Sequence, residues 1–333
     1  MRKPLCFCYR EDEHFTMPPD FSATARAPSL FAVVDESGGV RPDPEAFTEI
    51  FSAEAAEVFL FPWAIGQYID AGRREDIWNV IASLPYFKGR ENRHLIWDDG
   101  DFIFPPPHPV SLFKISVTGA IARSCVAAPY TLPAHMLAAQ PSFDWSAIAY
   151  DTSFVGNVTN VLRKAAVASI RQQAPELRLL VDFDNAFTVR DGYFFNTRER
   201  ADKAEMFRRQ TLYRESLEKS LTVLCPPGIG PYSIRMFETV YMGRVPVLFE
   251  DNAVYPLAEQ INYSAFCVRI AKSDVMATGE ILRRWLKETP LDEIHQMGVF
   301  ACRTWNRYFA PDRTLPYLLD EARMRFWETE LTM

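Results

Sequence analysis

Apolar residues along this chain fall into short continuous runs separated by amphipathic stretches, the alternation expected of buried strands covered by helices. Val58-Phe59-Leu60-Phe61 is such a run and ends at Pro62, residues 69–84 repeat at helical spacing, and His94-Leu95-Ile96-Trp97-Asp98 is a second run. Strand, helix, strand in that order predicts a βαβ unit with parallel strands. An earlier run, Leu30 to Asp35, predicts an opening strand inside otherwise irregular, Pro-rich chain up to about Asp43.

The alternation resumes beyond the middle of the chain, with strands expected over 147–156 and 177–183 and helices over 157–173 and 200–219. The clearest unit follows: strand Leu221 to Cys225, a Gly/Pro turn over 226–232, helix Ser233 to Tyr241 and strand Val245 to Glu250, with Gly243 where a helix C-cap favours glycine. Amphipathic helices are expected over 274–287, 291–308 and 316–328. The Pro-rich stretches 104–109 and 129–141 interrupt the pattern. They divide an α/β chain into a first domain over 1–145, a second over 146–310, and a terminal helical segment, 311–333, expected to pack back on the first.

A length of 333 residues agrees with two domains, at roughly 100–200 residues each. With 48% hydrophobic and 24% charged residues, the chain has enough apolar surface for two cores, which excludes disorder. A net charge of −7 and a pI near 5.4 exclude a nucleic-acid partner, whose phosphates require a basic excess. The basic start soon meets Glu11-Asp12-Glu13, and no apolar run has the length of a membrane span. Only peripheral membrane contact stays open, and the expected location is the cytoplasm. Six scattered cysteines form neither a disulfide framework nor a zinc set and read as small buried hydrophobes. His14, His108, His135 and His295 show no ligand spacing.

Candidate chemistry sits at predicted strand ends. In an open α/β sheet ligands bind beyond the carboxyl ends of strands, where loops enter helix N-termini. Pro226 to Ser233 is such a loop: Gly228 and Gly230 permit close backbone approach, Tyr232 and Ser233 lead into the helix, and the helix N-terminus favours a phosphate or diphosphate. Arg235 adds a full charge, and Glu238, one turn on, is placed to accept bonds from ribose hydroxyls. The competing reading is a local Arg235–Glu238 helical ion pair beside an ordinary turn. Arg163 is placed to reach the same phosphates, or to be a solvated helix arginine. His94, Asp98 and Asp99 end the first domain's second run and are candidates for a general base, though aspartates there also cap helices. Asp182-Phe183-Asp184 has the form of a metal-binding D-x-D motif; it is assigned to a turn, with no metal. The aromatics Trp63, Tyr68, Tyr86, Phe87 and Trp97 could stack on sugar faces, but such rings are more often core.

These residues carry a family resemblance. Ser220 to Glu238 and Gly243 to Asp251 resemble the carboxyl-terminal signature of exostosin-type glycosyltransferases: strand, C-P-x-G, S-x-R-x-x-E, G-x-x-P-V, then an acidic residue. Leu84-Pro85-Tyr86-Phe87 with the following Gly89-Arg90 and Asp98-Asp99-Gly100 resemble its L-P-Y-W, G-R-D-H and D-x-G segments. Phe154-Val155-Gly156 with Arg163 resembles its F-x-G strand and downstream arginine, and Tyr255 to Phe266 its continuation. The resemblance spans roughly Ala56 to Ile270. It implies a GT-B fold of two facing Rossmann-like domains with a cleft between them, an amino-terminal acceptor domain and a carboxyl-terminal donor domain. It further implies inverting, metal-independent transfer from a nucleotide-diphosphate sugar, of the uridine type by analogy, to a glycan hydroxyl. Arg244 replaces a cysteine frequent in the family, Arg93 stands where the family has aspartate, and the membrane anchor of many relatives is not expected here, as in a microbial or viral cytoplasmic enzyme. Two other readings stay open: a GDP-fucose-type or other GT-B transferase, and a catalytically silent glycan-binding protein. The oligomeric state is not legible in the sequence.

Overall fold

The structure, a computed structural model, describes residues 2–17, 27–36, 38–157, 160–184, 187–190, 193–196 and 203–328, with side chains described outside 184–206. The chain forms two compact units. One holds the residues up to Pro129, Val254–Leu257 and the chain from Pro311 onward; the other holds Tyr130–Ala253 and Ala258–Ala310.

The first unit contains β1 (Leu5–Cys8), β2 (Ala32–Val34), β3 (Val40–Pro42), β4 (Thr48–Glu49), β5 (Val58–Ala64), α1 (Gly66–Asp70), α2 (Arg74–Ala82), β6 (His94–Asp98), β7 (Ser111–Lys114) and β8 (Val126–Ala127). Six of these strands make one parallel sheet in the order β4-β1-β5-β6-β7-β8, while β2 and β3 pair as an antiparallel ribbon. Residues of β6 and β7 are buried on both faces, which is why they read as unbroken apolar runs. Phe59, Phe61, Ile77, Trp78, Ile81 and Ile96 belong to the core between sheet and helices.

Three local expectations are revised. Strand β5 runs through Pro62 because its register with β6 shifts between Leu60 and Ala64, where a residue without an N–H breaks no ladder bond. The Pro62 carbonyl accepts from Ser29 N–H at 2.8 Å. The helix expected over 69–84 is two helices, divided at Gly72, whose φ of +75° ends α1. The amino-terminal stretch expected to be irregular supplies β1, an interior strand paired with both β4 and β5.

The second unit contains α3 (Ala134–Leu137), β9 (Tyr150–Asn157), α4 (Val161–Gln173), β10 (Leu179–Asp184), β11 (Phe187–Arg190), β12 (Tyr193–Asn196), α5 (Lys203–Glu218), β13 (Ser220–Cys225), α6 (Ile234–Tyr241), β14 (Val245–Glu250), β15 (Val268–Ala271), α7 (Thr278–Glu288) and α8 (Leu291–Thr304). Its parallel sheet has the order β10-β9-β13-β14-β15, and β11 and β12 form a hairpin. The first strand, β9, therefore lies inside the sheet, and chain progression reverses between β9 and β13. Such a reversal opens a crevice at the carboxyl ends of the two strands. Asp182 to Asp184 lie in β10 rather than in a turn, and the side chain of Asp184 is outside those described. The expected helix start at Arg200 also falls outside the described residues.

The boundary between units falls at Pro129/Tyr130, not at 145/146, because residues 130–145 pack on the second sheet's helices. The Tyr130 ring meets Tyr232 edge-on at 5.9 Å, and the Tyr241 hydroxyl lies 2.9 and 2.6 Å from the carbonyl oxygens of Leu137 and Ala139. Arg244 completes the attachment. Its buried guanidinium donates to the carbonyls of Ser142, Glu218, Met242 and Gly243 and lies 4.9 Å over the Trp145 ring. Burial lowers its pKa to about 10. After the second unit the chain re-enters the first through α9 (Pro311–Ala322) and a wider turn over Arg323–Trp327. Arg325 there donates to the carbonyls of Ala122 and Cys125, and Trp327 Nε1 donates to Ser111 Oγ. All six cysteines are buried and free.

Candidate active site

In the second unit, the predicted loop leaves β13 at Cys225 and enters α6, placing its residues at the crevice between β9 and β13. Ser233 is the N-cap of α6, with its hydroxyl accepting from Arg235 N–H at 3.3 Å. Arg235, although charged, is only 6% exposed. Its Nη2 donates to the Val155 carbonyl at 2.8 Å, its Nη1 reaches the Leu224 carbonyl at 3.5 Å, and its guanidinium lies 4.4 Å from the centre of the Phe154 ring.

Phe154-Val155-Gly156 is thereby a cradle for this arginine. Phe154 supplies the ring face and Val155 the acceptor, while Gly156 supplies room: a Cβ there would stand 2.3 Å from Arg235 Nη2, and its φ is +151°. Arg235 Nε is buried with no partner among the described residues. An orphaned buried N–H on a cation costs about 1–3 kcal/mol, so a cation with a spare donor is held where an oxygen-rich ligand would satisfy it.

Glu238 is also buried, and one of its carboxylate oxygens accepts from the Tyr213 hydroxyl. Burial raises its pKa, opposed by the Tyr213 bond and by the charge of Arg235. No ion pair forms between Arg235 and Glu238, so the local helical pair is not what holds them. Arg163 reaches the same loop: its Nη1 donates to the Asn157 carbonyl at 2.9 Å and its Nε to the Pro227 carbonyl at 3.3 Å. A Cβ on Gly228 would sit 3.1 Å from Arg163 Nη2. The openness of Gly228 therefore accommodates Arg163, which braces the loop. Asn160 assists, capping α4 and donating to the Gly228 carbonyl at 3.0 Å. Gly230 is buried in the same loop, and the Tyr232 ring packs against Tyr130 and Phe237 as a wall. Tyr213 and Asn160 were missed by sequence reasoning, the former on a helix with no marked apolar face.

In the first unit the three proposed bases separate. His94 stands at the start of β6, away from the carboxyl edge, and is fully buried. Its Nδ1 lies 2.8 Å from the Arg90 carbonyl and its Nε2 2.9 Å from the Tyr9 hydroxyl. A carbonyl only accepts, so Nδ1 carries the proton and Nε2 accepts from Tyr9. Burial lowers its pKa to about 4, and His94 is thus a core histidine, not a base. Asp98 is likewise committed: Oδ2 pairs with Lys114 Nζ at 2.7 Å, Oδ1 accepts from Gly100 N–H at 2.9 Å, and both side chains are buried.

Asp99 is different. Oδ1 accepts from Gly66 N–H at 3.0 Å, at the start of α1, and the other oxygen has no bond among the described residues. Its pKa is raised by burial and then by Asp98. Gly66 and Gly100 pack backbone to backbone here, a Cβ on Gly66 falling 2.0 Å from Gly100 N. Asp70, missed in the sequence, closes the cluster. Its carboxylate faces the N–H groups of Asp101 and Phe102 at 3.4 Å, and burial pushes its pKa to about 6. A half-buried carboxylate with one free oxygen and a raised pKa fits proton acceptance from a hydroxyl. Among the described residues no three His, Cys, Asp or Glu side chains group as metal ligands, and no helix is long and apolar enough to cross a membrane.

Two parallel α/β units, each with polar chemistry at the carboxyl edge of its strands, define the class: a mixed α/β protein built on two parallel sheets. The family model described as Exostosin GT47 domain matches residues 111–285, just over half of the chain, and the chain belongs to that family. A "Probable glucuronosyltransferase" of Oryza sativa subsp. japonica is 35% identical over 82 residues, 25% of this chain and 18% of that protein. A "Probable beta-1,4-xylosyltransferase" of Arabidopsis thaliana is 36% identical over 72 residues, 22% of this chain and again 18% of the relative. Each match thus takes in less than a fifth of the relative's own length. Among solved structures, a glycosyltransferase from Rickettsia africae aligns over 71% of both chains at 9% identity, with a TM-score of 0.40.

Proposed function

We propose that the chain is a glycosyltransferase that moves a sugar from a nucleotide-diphosphate donor, of the uridine type, to a hydroxyl of a glycan acceptor, with inversion and without a bound metal. The observation that carries this reading is the Arg235 cradle: a buried guanidinium with one unpaired N–H, beside a helix N-terminus, at the switch point of a parallel sheet. That arrangement suits a diphosphate leaving group, and Glu238 suits the ribose. The acceptor hydroxyl must lose its proton as its oxygen attacks the anomeric carbon, and within the first unit Asp99 has the chemistry of such a base. The carbon–oxygen bond to the diphosphate breaks in the same step, and the charge released falls on oxygens facing Arg235 and α6. Asp98 and Lys114 hold the loop that carries Asp99. The family membership and the relatives' names support a role in polysaccharide synthesis, and the composition supports a cytoplasmic location.

The test is binding and turnover across a panel of nucleotide sugars, with and without chelator. Arg235→Ala should abolish donor binding. Asp99→Asn should keep donor affinity while losing roughly 10²–10⁴ in kcat, the usual range for a general base. Absence of nucleotide-sugar binding by the unaltered protein would overturn the reading.

A further inference from the structure

In the second unit one side chain from another helix touches both Arg235 and Glu238. Tyr213 lies on α5, the helix that precedes β13. Its hydroxyl donates to Glu238 Oε2, and its ring centre is 5.7 Å from the Arg235 guanidinium carbon, which lies 4.4 Å from the ring centre of Phe154. Ring contacts of this kind attract a guanidinium without occupying its N–H donors.

The helix is anchored close to that tyrosine. One turn further along α5, the Ser216 carbonyl accepts from Ser153 Oγ at 2.9 Å and from Ser220 Oγ at 2.6 Å, and the neighbouring Leu217 is fully buried. Ser153 directly precedes Phe154, so α5 is tied to the strand that carries the Arg235 cradle.

The proton states of the pair agree with this geometry. Burial, and then the Glu238 charge, raise the Tyr213 pKa well above the usual tyrosine value, so the hydroxyl keeps its proton and donates. Burial raises the Glu238 pKa, and two influences hold it down, first the Tyr213 bond and then the charge of Arg235 on its own helix. The Cys225 thiol of β13 also lies near, but burial pushes its pKa up to about 12 and it is neutral. With Oε2 taken by Tyr213, Glu238 Oε1 has no bond among the described residues and is left for a ligand hydroxyl.

We infer that Tyr213 is a positioning residue of the donor site: its hydroxyl orients the Glu238 carboxylate for the ribose hydroxyls, and its ring steadies Arg235 for the diphosphate. On the donor reading of Arg235 and Glu238, on which this role rests, selection of ribose over deoxyribose then runs through a side chain on α5 that touches no ligand atom itself.

The test is calorimetric titration of the full-length protein with uridine and guanosine diphosphates and with their 2′,3′-dideoxy forms, at several values between about pH 6 and 9. The parent should prefer a ribose form. Tyr213→Phe keeps the ring and removes the hydroxyl. It should reduce that preference about tenfold near neutral pH, the scale of one charge-assisted hydrogen bond. Without the Tyr213 bond the Glu238 pKa rises, so the acid-side loss of ribose preference should move to higher pH than in the parent. In a Glu238→Gln background the same substitution should change the preference less than about twofold, because Tyr213 acts through Glu238. Each preference is a ratio of two affinities on one variant, so a partial loss of folded protein cancels from it. A ratio unchanged by Tyr213→Phe, an unshifted pH profile, or an equal further loss in the Glu238→Gln background would overturn the positioning role and leave a tyrosine that only fills space. A parent that binds a diphosphate equally well with and without the ribose hydroxyls overturns it too, while the Arg235 diphosphate site stands. A parent that binds none of these nucleotides removes the donor reading itself, and the role of Tyr213 with it.

Discussion

His94 offers a measurable consequence of burial. In the folded chain its Nε2 accepts from Tyr9 and its Nδ1–H faces Arg90, so a second proton has no place without breaking the Tyr9 bond. The folded pKa is about 4, below the ordinary value of 6.5. The unfolded chain therefore takes up the proton first as pH falls, and stability that is full above pH 6.5 is lost progressively down to about pH 4. The interval of 2.5 units between those two values corresponds to about 3 kcal/mol, a large fraction of a domain's usual stability of about 5–15 kcal/mol. Urea denaturation of the parent and of His94→Gln at several values between pH 4 and 7.5 reads this directly. The variant is less stable at pH 7.5, and the gap should close by about that amount as pH falls. A gap independent of pH, or an imidazole NMR titration of His94 near 6.5, would refute the burial argument and return His94 to the candidate bases.

Three further outcomes are expected. Gly156→Ala places a Cβ against Arg235 Nη2 at a φ that L-residues rarely adopt, and should weaken nucleotide-sugar binding about tenfold or more while circular dichroism stays native. Lys114→Met leaves the Asp98 carboxylate buried alone and should destabilise the chain by about 3–5 kcal/mol in chemical denaturation, with most of the loss recovered by adding Asp98→Leu. Asp70 has a folded pKa of about 6, raised from 3.8, so its contribution to stability is full below 3.8 and lost as pH rises through 6. Asp70→Asn should therefore gain stability relative to the parent between pH 4 and 6.5; parallel pH profiles would contradict this.

The sequence was most legible where one physical cause dominated. Leu221 to Glu250 reads correctly because β13 and β14 are buried on both faces and the Gly/Pro turn and Ser233 cap leave local signatures. β1 was missed because four residues flanked by polar chain carry no period; its place comes from pairing with β4 and β5, strands distant in sequence. Pro62 looked like a stop because a proline breaks a regular ladder, and only the register shift with β6 shows why it does not. Among candidate site residues, the placing of Ser233, Arg235 and Glu238 on one helix start was visible from their helical spacing, whereas the separate surroundings of His94, Asp98 and Asp99 were not. Spacing puts all three on or beside one strand, but which end each occupies, and which oxygens Lys114 and Gly66 take, are facts of tertiary packing. The attachment of residues 130–145 to the second unit has the same origin, since Arg244 and Tyr241 reach carbonyls some 100 residues away.

The six buried thiols turn the native chain into its own reporter of opening. Cys8, Cys125 and Cys225 have pKa values pushed up to about 12 by burial, and those of Cys6, Cys267 and Cys302 are raised for the same reason. At pH 8 a thiol of pKa 12 is ionised in a fraction on the order of 10⁻⁴, and the surrounding chain shields it from reagent as well. An alkylating agent added in a short pulse therefore reads the time that each cysteine spends uncovered, not its intrinsic reactivity. Cys6, Cys8 and Cys125 report from one unit and Cys225, Cys267 and Cys302 from the other. Mass spectrometry of the labelled peptides would accordingly time the breathing of the two halves independently, with no cysteine introduced or removed.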